Sequence, residues 1–353
     1  MAVARELAGA GAQVLIVDRY EIGERQTSAC AAPTGWLDNL GLTASIRQTF
    51  PDLVFHTPHA HFRYRLPWTF STFDYRELCA LLYQQTDAAF DTAKVEGVTR
   101  AADAHTVHTD RGDLRSPLVV DALGWRRVLA DGPHVQPPEA RLSRGLEVHP
   151  HGDGRDLEIW IDPRYVRAGY SWSFPAEGEL RVGVGSFEPR DRVKEPTQRL
   201  AGDLELAAER YQGNWIPHRL RPAVEGGVFF VGDSAGHCLP LTAEGIRTAL
   251  YFGLACGHEL REVLAGARDR AAALERYAAF SDAHRWKFEA MLYVQHLVAR
   301  IGRRRAMTSA LRAMDRPRFV DWAFGHYLNI APPSFVSASG PTPARPRAAV
   351  AAA

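Results

Sequence analysis

Apolar residues recur at helical spacing in the opening AVARELAG, glycines follow at Gly9 and Gly11, and the β-branched run VLIVD comes next. The pattern predicts a helix, a glycine stop and a buried strand ending at Asp18. From 95 to 122, KVEGVT, HTVHTD and LRS alternate around a turn at Asp110 to Gly112 and lead into the apolar PLVVDAL, which predicts a small β meander. Between 141 and 188, RLSRGLEVH, DLEIWID, YSWSFP and LRVGVGSF alternate again, with Gly152, Pro163 and Gly178 as turn residues. An antiparallel sheet is expected there. VFFVGD, ending at Asp233, reads as another buried strand, IRTALYFGLACGHELREVLAG as a long apolar-rich helix, and 270–330 as further helices. Pro, Ala and Ser then dominate, and 331–353 is expected to be a disordered tail.

Composition narrows the function classes. With 353 residues, 46% of them hydrophobic, the chain can bury a sizeable core, and its formal charge of +1 gives no support for a nucleic-acid partner. The four cysteines, Cys30, Cys79, Cys238 and Cys256, share no CxxC spacing, so neither a disulfide framework nor a zinc site is indicated. No apolar run approaches the roughly 18 residues of a spanning helix, and the opening lacks the layout of a signal peptide. A cytoplasmic protein is expected. His56, His59 and His61 have a spacing that a metal could use, yet no metal is expected. The stretch RIGRRRAM, from Arg300 to Met307, lies in an amphipathic helical region and reads first as a solvated basic face, with anionic lipid contact as the alternative.

In a dinucleotide-binding βαβ unit, an acidic residue at the end of the second strand accepts hydrogen bonds from the adenosine ribose; Asp18 stands there, the alternative being a strand-end turn aspartate. Gly9 and Gly11 follow a helix and precede a strand, the reverse of a phosphate-binding turn, and are rejected for that role. Because the acid follows the glycine turn by about 20 residues, the turn is expected just before Met1 and the first strand is expected to be missing. In VGDSAGHCLPLTAEGIRTAL an aspartate ends a buried strand, and a glycine-containing loop leads into a helix whose N-terminus favours negative charge.

That segment resembles the second FAD motif of the glutathione-reductase-like flavoproteins. The resemblance implies that Asp233 binds a ribitol hydroxyl, that Gly232 and Gly236 permit close approach, and that Gly245 and Ile246 in PLTAEGI contact the flavin. VVDALG resembles the middle motif of the flavoprotein hydroxylases, which is associated with flavin and NADPH, with Asp121-Ala122 in place of their Asp-Gly; the resemblance implies that Asp121 is cofactor-binding, the alternative being an aspartate that caps a strand. GYSWSFPAEGELRVGVGSF is similar to the Tyr-x-Trp-x-Phe-Pro and Val-Gly-x-Gly strands of the geranylgeranyl reductases. Tyr170, Trp172 and Phe174 share one strand face and are expected to wall a channel for a polyprenyl chain; core packing is the alternative. The same family places a cysteine near the isoalloxazine, and Cys30 in GERQTSACAAP stands at the matching place, to help deliver a proton or to shape the pocket, the alternative being a buried inert cysteine. Arg25 and Ser28 precede it where relatives contact the cofactor, and Arg76 matches the family's Arg-containing segment; both arginines are expected near the pyrophosphate, the alternative being solvated loop charges.

The fold implied is α/β: a Rossmann-like FAD-binding domain (1–50, 74–128 and 219–265) lacking its first strand, with an inserted antiparallel β-sheet substrate domain (51–73 and 129–218). A helical region (266–330) and the tail follow. The function implied is FAD-dependent reduction of carbon–carbon double bonds in a prenyl or other hydrophobic or lipid substrate. Electrons would come from NAD(P)H or a small redox protein, and the reading allows peripheral membrane contact. The alternatives are an FAD-dependent aromatic hydroxylase and a truncated flavoprotein relative without FAD or catalysis.

Overall fold

A computed structural model describes residues 1–132, 139–140, 142–300 and 304–339. The chain begins with α1 (Ala2–Leu7), β1 (Leu15–Asp18), β2 (Ala31–Pro33) and α2 (Thr34–Asn39), then two long strands, β3 (Ile46–Thr57) and β4 (Ala60–Phe73). Next come α3 (Tyr75–Gln84), β5 (Ala89–Thr92), the meander β6 (Val95–Thr99), β7 (His105–Thr109) and β8 (Gly112–Ser116), and the short β9 (Val120–Asp121). Asp74 starts α3 by accepting a 2.9 Å hydrogen bond from the Glu77 amide, an N-cap that satisfies one free donor of the first turn. The second half supplies β10 (Leu142–Val148), β11 (Leu157–Trp160), β12 (Gly169–Pro175), β13 (Leu180–Ser186), α4 (Lys194–Asp203), β14 (Gln212–Pro217), β15 (Val224–Glu225) and β16 (Val228–Phe230). Helices α5 (Ile246–Leu264), α6 (Arg270–Asp282), α7 (Arg285–Arg300), α8 (Arg304–Met314), α9 (Pro317–Leu328) and α10 (Ser334–Ser339) close the order.

Eight strands form one large sheet in the order β14-β10-β13-β12-β11-β3-β4-β2. The expectation of an antiparallel sheet is corrected at one place: β11 runs parallel to β3, Ile159 opposite Phe55, so the sheet is mixed. This pair joins the β3–β4 hairpin to the strands of the later segment. The remaining strands form smaller sheets. β1 pairs in parallel with β5, and β16 in parallel with β9. The unpaired edges of β1 and β9 line one and the same cavity, through Val14 to Asp18 and Leu118 to Val120.

α5 is apolar nearly all round because it is buried between this strand layer and the helices that follow. α1 lies close against it where glycines leave room: a Cβ on Gly253 would stand 2.9 Å from that of Ala2, and one on Gly257 2.6 Å from that of Glu6. The expectation of a structureless tail from 331 is corrected for 331–339. Ala331 is fully buried, and its carbonyl accepts hydrogen bonds from the Trp36 indole (2.9 Å) and the Arg247 guanidinium (3.0 Å). Asn39 holds the Pro333 carbonyl at 2.9 Å, and α10 follows. Residues 340–353, with the rest of that expectation, lie outside the described residues, as do 301–303 of the basic stretch.

Candidate active site

A cavity of about 1860 Å³ runs from the β1 and β16 strand ends to the large sheet and helices α7 to α9. Asp18, Ser28, Cys30, Gly232, Asp233, Gly245, Ile246, Tyr170, Trp172 and Phe174 all line it. Arg25, Arg76, Asp121 and Gly236 do not.

Strand β16 is wholly buried and delivers Gly232 and Asp233 to the cavity through a tight 3-10 turn, with Gly232 at φ +63°. Burial pushes the Asp233 carboxyl up to about 6, with the Arg221 charge offsetting part of the effect. No described residue donates a hydrogen bond to this cavity-facing carboxyl. Gly245 caps the 19-residue α5 without a side-chain acceptor for the first-turn amides, and Gly245 and Ile246 line the cavity. A Cβ on Gly245 would close to 3.3 Å from Cys238 Sγ and 3.6 Å from Asp233 Oδ1, narrowing the approach. Two of the non-glycine residues at positive φ, Ala243 (+54°) and Cys30 (+51°), line this same cavity, a form of backbone strain that gathers at functional sites.

At the β1 end of the cavity, exposed Asp18 lines it and accepts a 3.1 Å hydrogen bond from the Tyr20 amide through Oδ1, as a strand-end turn aspartate does. Arg25 is exposed and lies over the Tyr20 ring, 4.7 Å from its centroid. Arg76 is exposed too, its backbone packed on Gly23, where a Cβ would stand 2.7 Å from Arg76 Cα. The arginines thus stand outside the cavity where the reading expected them near a pyrophosphate. Asp121 is fully buried, with Oδ1 accepting from the Leu123 amide (2.9 Å) and the Ser234 hydroxyl (2.6 Å), and Oδ2 from the Leu129 amide (2.8 Å). Its carboxylate knits β9 to the β16 turn. Gly236, at φ +67°, must be glycine because a Cβ would overlap the Arg219 carbonyl oxygen.

Cys30 is completely buried, and burial raises its thiol well above the usual range, so Sγ carries its proton. On β12 the partly exposed residues are Tyr170, Trp172 and Phe174, all turned to the cavity, while Ser171 and Ser173 are buried on the other face. Tyr170 Oη donates to the Thr242 carbonyl at 2.5 Å, tying this wall to the loop before α5. The Trp172 indole lies across a glycine floor. A Cβ on Gly183 would overlap the indole, and one on Gly185 would touch it at 3.4 Å. Beyond the aromatics an apolar limb continues, with Leu53, Phe55, Phe70 and Ile159 from the sheet facing Met291, Met307, Leu311 and Phe324 from the helices.

Sequence reasoning missed Glu244 and Arg247. Arg247 is wholly buried, pairs with Glu244 at 2.7 Å and also holds the Leu328 carbonyl, while Tyr327 Oη donates to Glu244. Their i, i+3 spacing at a helix start was the available signal. His56, weighed for metal, stacks on Trp160 at 4.7 Å and meets Glu158 at 3.1 Å; among the described residues no cluster of three or more His, Cys, Asp or Glu could hold a metal ion.

No protein-family model matches the chain. Digeranylgeranylglycerophospholipid reductase 1 of Methanopyrus kandleri is 30% identical over 213 residues, 56% of this chain and 56% of that protein. Reductase 2 of the same organism is 29% identical over 221 residues, 56% of this chain and 53% of that protein. The chain spans about half the length of these curated relatives. A geranylgeranyl bacteriochlorophyll reductase-like protein from Thermoplasma acidophilum superposes with a TM-score of 0.78 over 96% of this chain and 94% of its own, at 16% identity. Over about half its length the chain is thus similar in sequence to digeranylgeranylglycerophospholipid reductases, and over nearly all of it similar in fold to a geranylgeranyl reductase-like protein. The chain also shares its fold with PqsL of Pseudomonas aeruginosa, a probable FAD-dependent monooxygenase, at a TM-score of 0.65 and 19% identity, over 88% of this chain and 96% of that one. Its α/β fold, with the large mixed sheet and C-terminal helices, is therefore common to reductases and monooxygenases, and fold alone does not choose between their chemistries.

Proposed function

We propose that the cavity holds FAD and that the protein reduces carbon–carbon double bonds of a prenyl or other hydrophobic lipid substrate. The observation that carries this reading is the continuity of one cavity. One limb, with the carboxyls of Asp18 and Asp233 and the start of α5 beside the strand edges of β1 and β9, runs without a break into the apolar limb, and Cys30, Tyr170 and Trp172 line the cavity as well. A dinucleotide suits the first limb and an extended isoprenoid the second. The curated relatives are named as reductases of digeranylgeranylglycerophospholipids, which agrees with both.

In this reading the Asp233 carboxyl takes the ribitol hydroxyls, Asp18 the adenosine ribose, and the first-turn amides of α5 face the flavin ring, where the helix dipole favours negative charge. Reduced flavin supplies a hydride. The protein's own part is to hold the alkene between Trp172 and the flavin position, to exclude water with the apolar limb, and to keep a proton on Cys30 Sγ within the cavity. Reducing equivalents come from NAD(P)H or a small redox protein.

A lipid substrate also suits the outer surface. Six of the eight exposed large apolar side chains among the described residues sit on α7 and α9, namely Trp286, Tyr293, Val294, Leu297, Phe319 and Trp322. These helices border the apolar limb, and we assign them peripheral contact with a membrane.

The test is to purify the protein, add FAD, and follow the visible flavin spectrum and its quenching on binding. Anaerobic reduction in the presence of a prenyl lipid follows, with the product analysed by mass. A product heavier by two hydrogens supports the reading. A product formed under air and heavier by one oxygen would move the protein to the hydroxylases. Failure to bind FAD at all would leave it a flavoprotein relative without catalysis.

A further inference from the structure

Behind the aromatic wall lies a buried line of polar groups that the proposed reaction does not use. Glu147, near the end of β10, lines the cavity and accepts the Trp172 indole N–H on Oε2 at 3.2 Å. Its other oxygen, Oε1, lies 2.8 Å from His149 Nε2. On the far side of the imidazole, Nδ1 lies 3.2 Å from Glu179 Oε1, and that same oxygen accepts from Arg181 Nε at 3.1 Å. Arg181, almost wholly buried at the start of β13, turns one terminal nitrogen onto three carbonyls: Ala29 (2.8 Å), Phe73 (2.9 Å) and Cys30 (3.4 Å). The line therefore runs unbroken from the Trp172 wall to the strained Cys30 turn.

Both imidazole nitrogens of His149 face carboxylate oxygens, and only the doubly protonated ring can donate to both. His149 is 2% exposed, so water offers little substitute for either bond. Burial alone would depress its pKa, but the Glu147 and Glu179 hydrogen bonds outweigh it and the value is raised above 6.5. Glu179 is held down to about 2 despite its partial burial, chiefly by His149 and then by Arg181. The other charged group facing this centre is Arg210, whose guanidinium donates to the His149 carbonyl and lies 3.2 Å from Glu179 Oε2; the His149 amide donates to the Glu209 carbonyl. Across the hairpin, His151 bridges Glu179 through the backbone.

We propose that His149 is a positioning residue, a buried imidazolium that ties the Trp172 wall to the Cys30 turn so that one protonation sets both sides of the cavity. Loss of the proton leaves a lone pair facing a carboxylate and releases one end of the line. Because the folded-state value is raised, the tie is complete below the ordinary histidine value and is lost as pH rises through the folded one. The relevance to alkene reduction rests on the function proposed above, whereas the tie itself needs no flavin, so the two fail separately.

The experiment uses the purified protein without added cofactor. Trp172 emission, isolated by difference from Trp172→Phe, is followed from about pH 5 to 9. In parallel, the alkylation rate of Cys30, identified by its loss in Cys30→Ala, is measured at about pH 6 in the wild type and in His149→Gln. The expected result is an emission titration with its midpoint above the ordinary histidine value, absent from His149→Gln, and alkylation of Cys30 about tenfold faster in that variant. Should His149→Gln fail to fold, the wild-type emission titration and the chemical shifts of its labelled imidazoles decide alone. A flat Trp172 emission across the range, a His149 ring that stays neutral at the acid end, or equal Cys30 reactivity in a folded variant overturns the proposal.

Discussion

Asp233 shows how one residue can be unfavourable to the empty protein and favourable to its proposed ligand. Its carboxyl is raised to about 6 by burial, with Arg221 offsetting only part. A raised carboxylate pKa means that the folded state prefers the protonated form, so this residue's contribution is best at low pH and worsens as pH rises through about 6. Asp233→Asn should therefore stabilise the protein at neutral pH by up to about 3 kcal/mol, read as a higher melting temperature, and weaken FAD binding in the same preparation. A variant that melts lower at neutral pH, or binds FAD as well as the wild type, contradicts the assignment. Gly183 is a second such position. Its missing side chain is the seat of the Trp172 indole, and Gly183→Ala should push the ring toward the cavity. The cost in stability should be about 1 to 3 kcal/mol, with a shift in Trp172 emission that Gly178→Ala, at the hairpin turn, does not reproduce.

Among the elements, the start of α5 is held from outside by the chain's later helices. The buried Arg247 pairs with Glu244 and spans to the carbonyls of Leu328 and Ala331, so α9 and the segment after it brace the loop that faces the cavity. Arg247→Leu leaves Glu244 as a buried carboxylate without its cation and should cost about 3 to 5 kcal/mol by chemical denaturation; adding Glu244→Gln should recover much of that loss. The same contact explains why the pattern after 331 was misread. Its Pro, Ala and Ser composition carries no periodic signal, and what orders it is hydrogen bonding from Trp36 and Arg247, far away in sequence. VFFVGD and the long α5 were legible because buried strands and helices write themselves in local hydrophobic runs, whereas VLIVD forms the expected strand but not a buried one: none of Leu15 to Asp18 is buried and Leu15 is 45% exposed, because one edge of β1 is unpaired and faces the cavity. The parallel meeting of β11 with β3 was not, since it joins residues about a hundred positions apart and leaves no mark in either strand. At the site, the family resemblance put forward Gly232, Asp233, Gly245 and the aromatic triplet, all of which line the cavity, and also Gly236, which does not. The Glu147–His149–Glu179 line could not, because two of its members are separated from the third by a whole hairpin.

For the whole molecule, the distribution of charge matters more than its sum. The chain carries only +1 overall, yet residues 282–330 hold nine lysines and arginines against four aspartates and glutamates. That same stretch presents Trp286 and Tyr293 at 65% and 70% exposure and Trp322 at 58%, and its helices border the apolar limb of the cavity. Among the described residues no helix is long and apolar enough to cross a bilayer, so the contact proposed here is with its surface. Aromatic rings with a polar edge are suited to the headgroup level, and each basic residue near an anionic surface adds about 1 kcal/mol, screened by salt. The protein should therefore sediment with vesicles containing phosphatidylglycerol and be released as salt is raised. Neutral phosphatidylcholine vesicles should retain it poorly. Replacing Trp286 and Trp322 together by serine should weaken binding by about tenfold or more while leaving FAD binding unchanged, since neither ring lines the cavity. Equal affinity for both kinds of vesicle would remove the electrostatic part of the argument. Self-association of the wild type that the double variant abolishes, without vesicle binding, would instead assign the aromatic surface to a second copy of the chain.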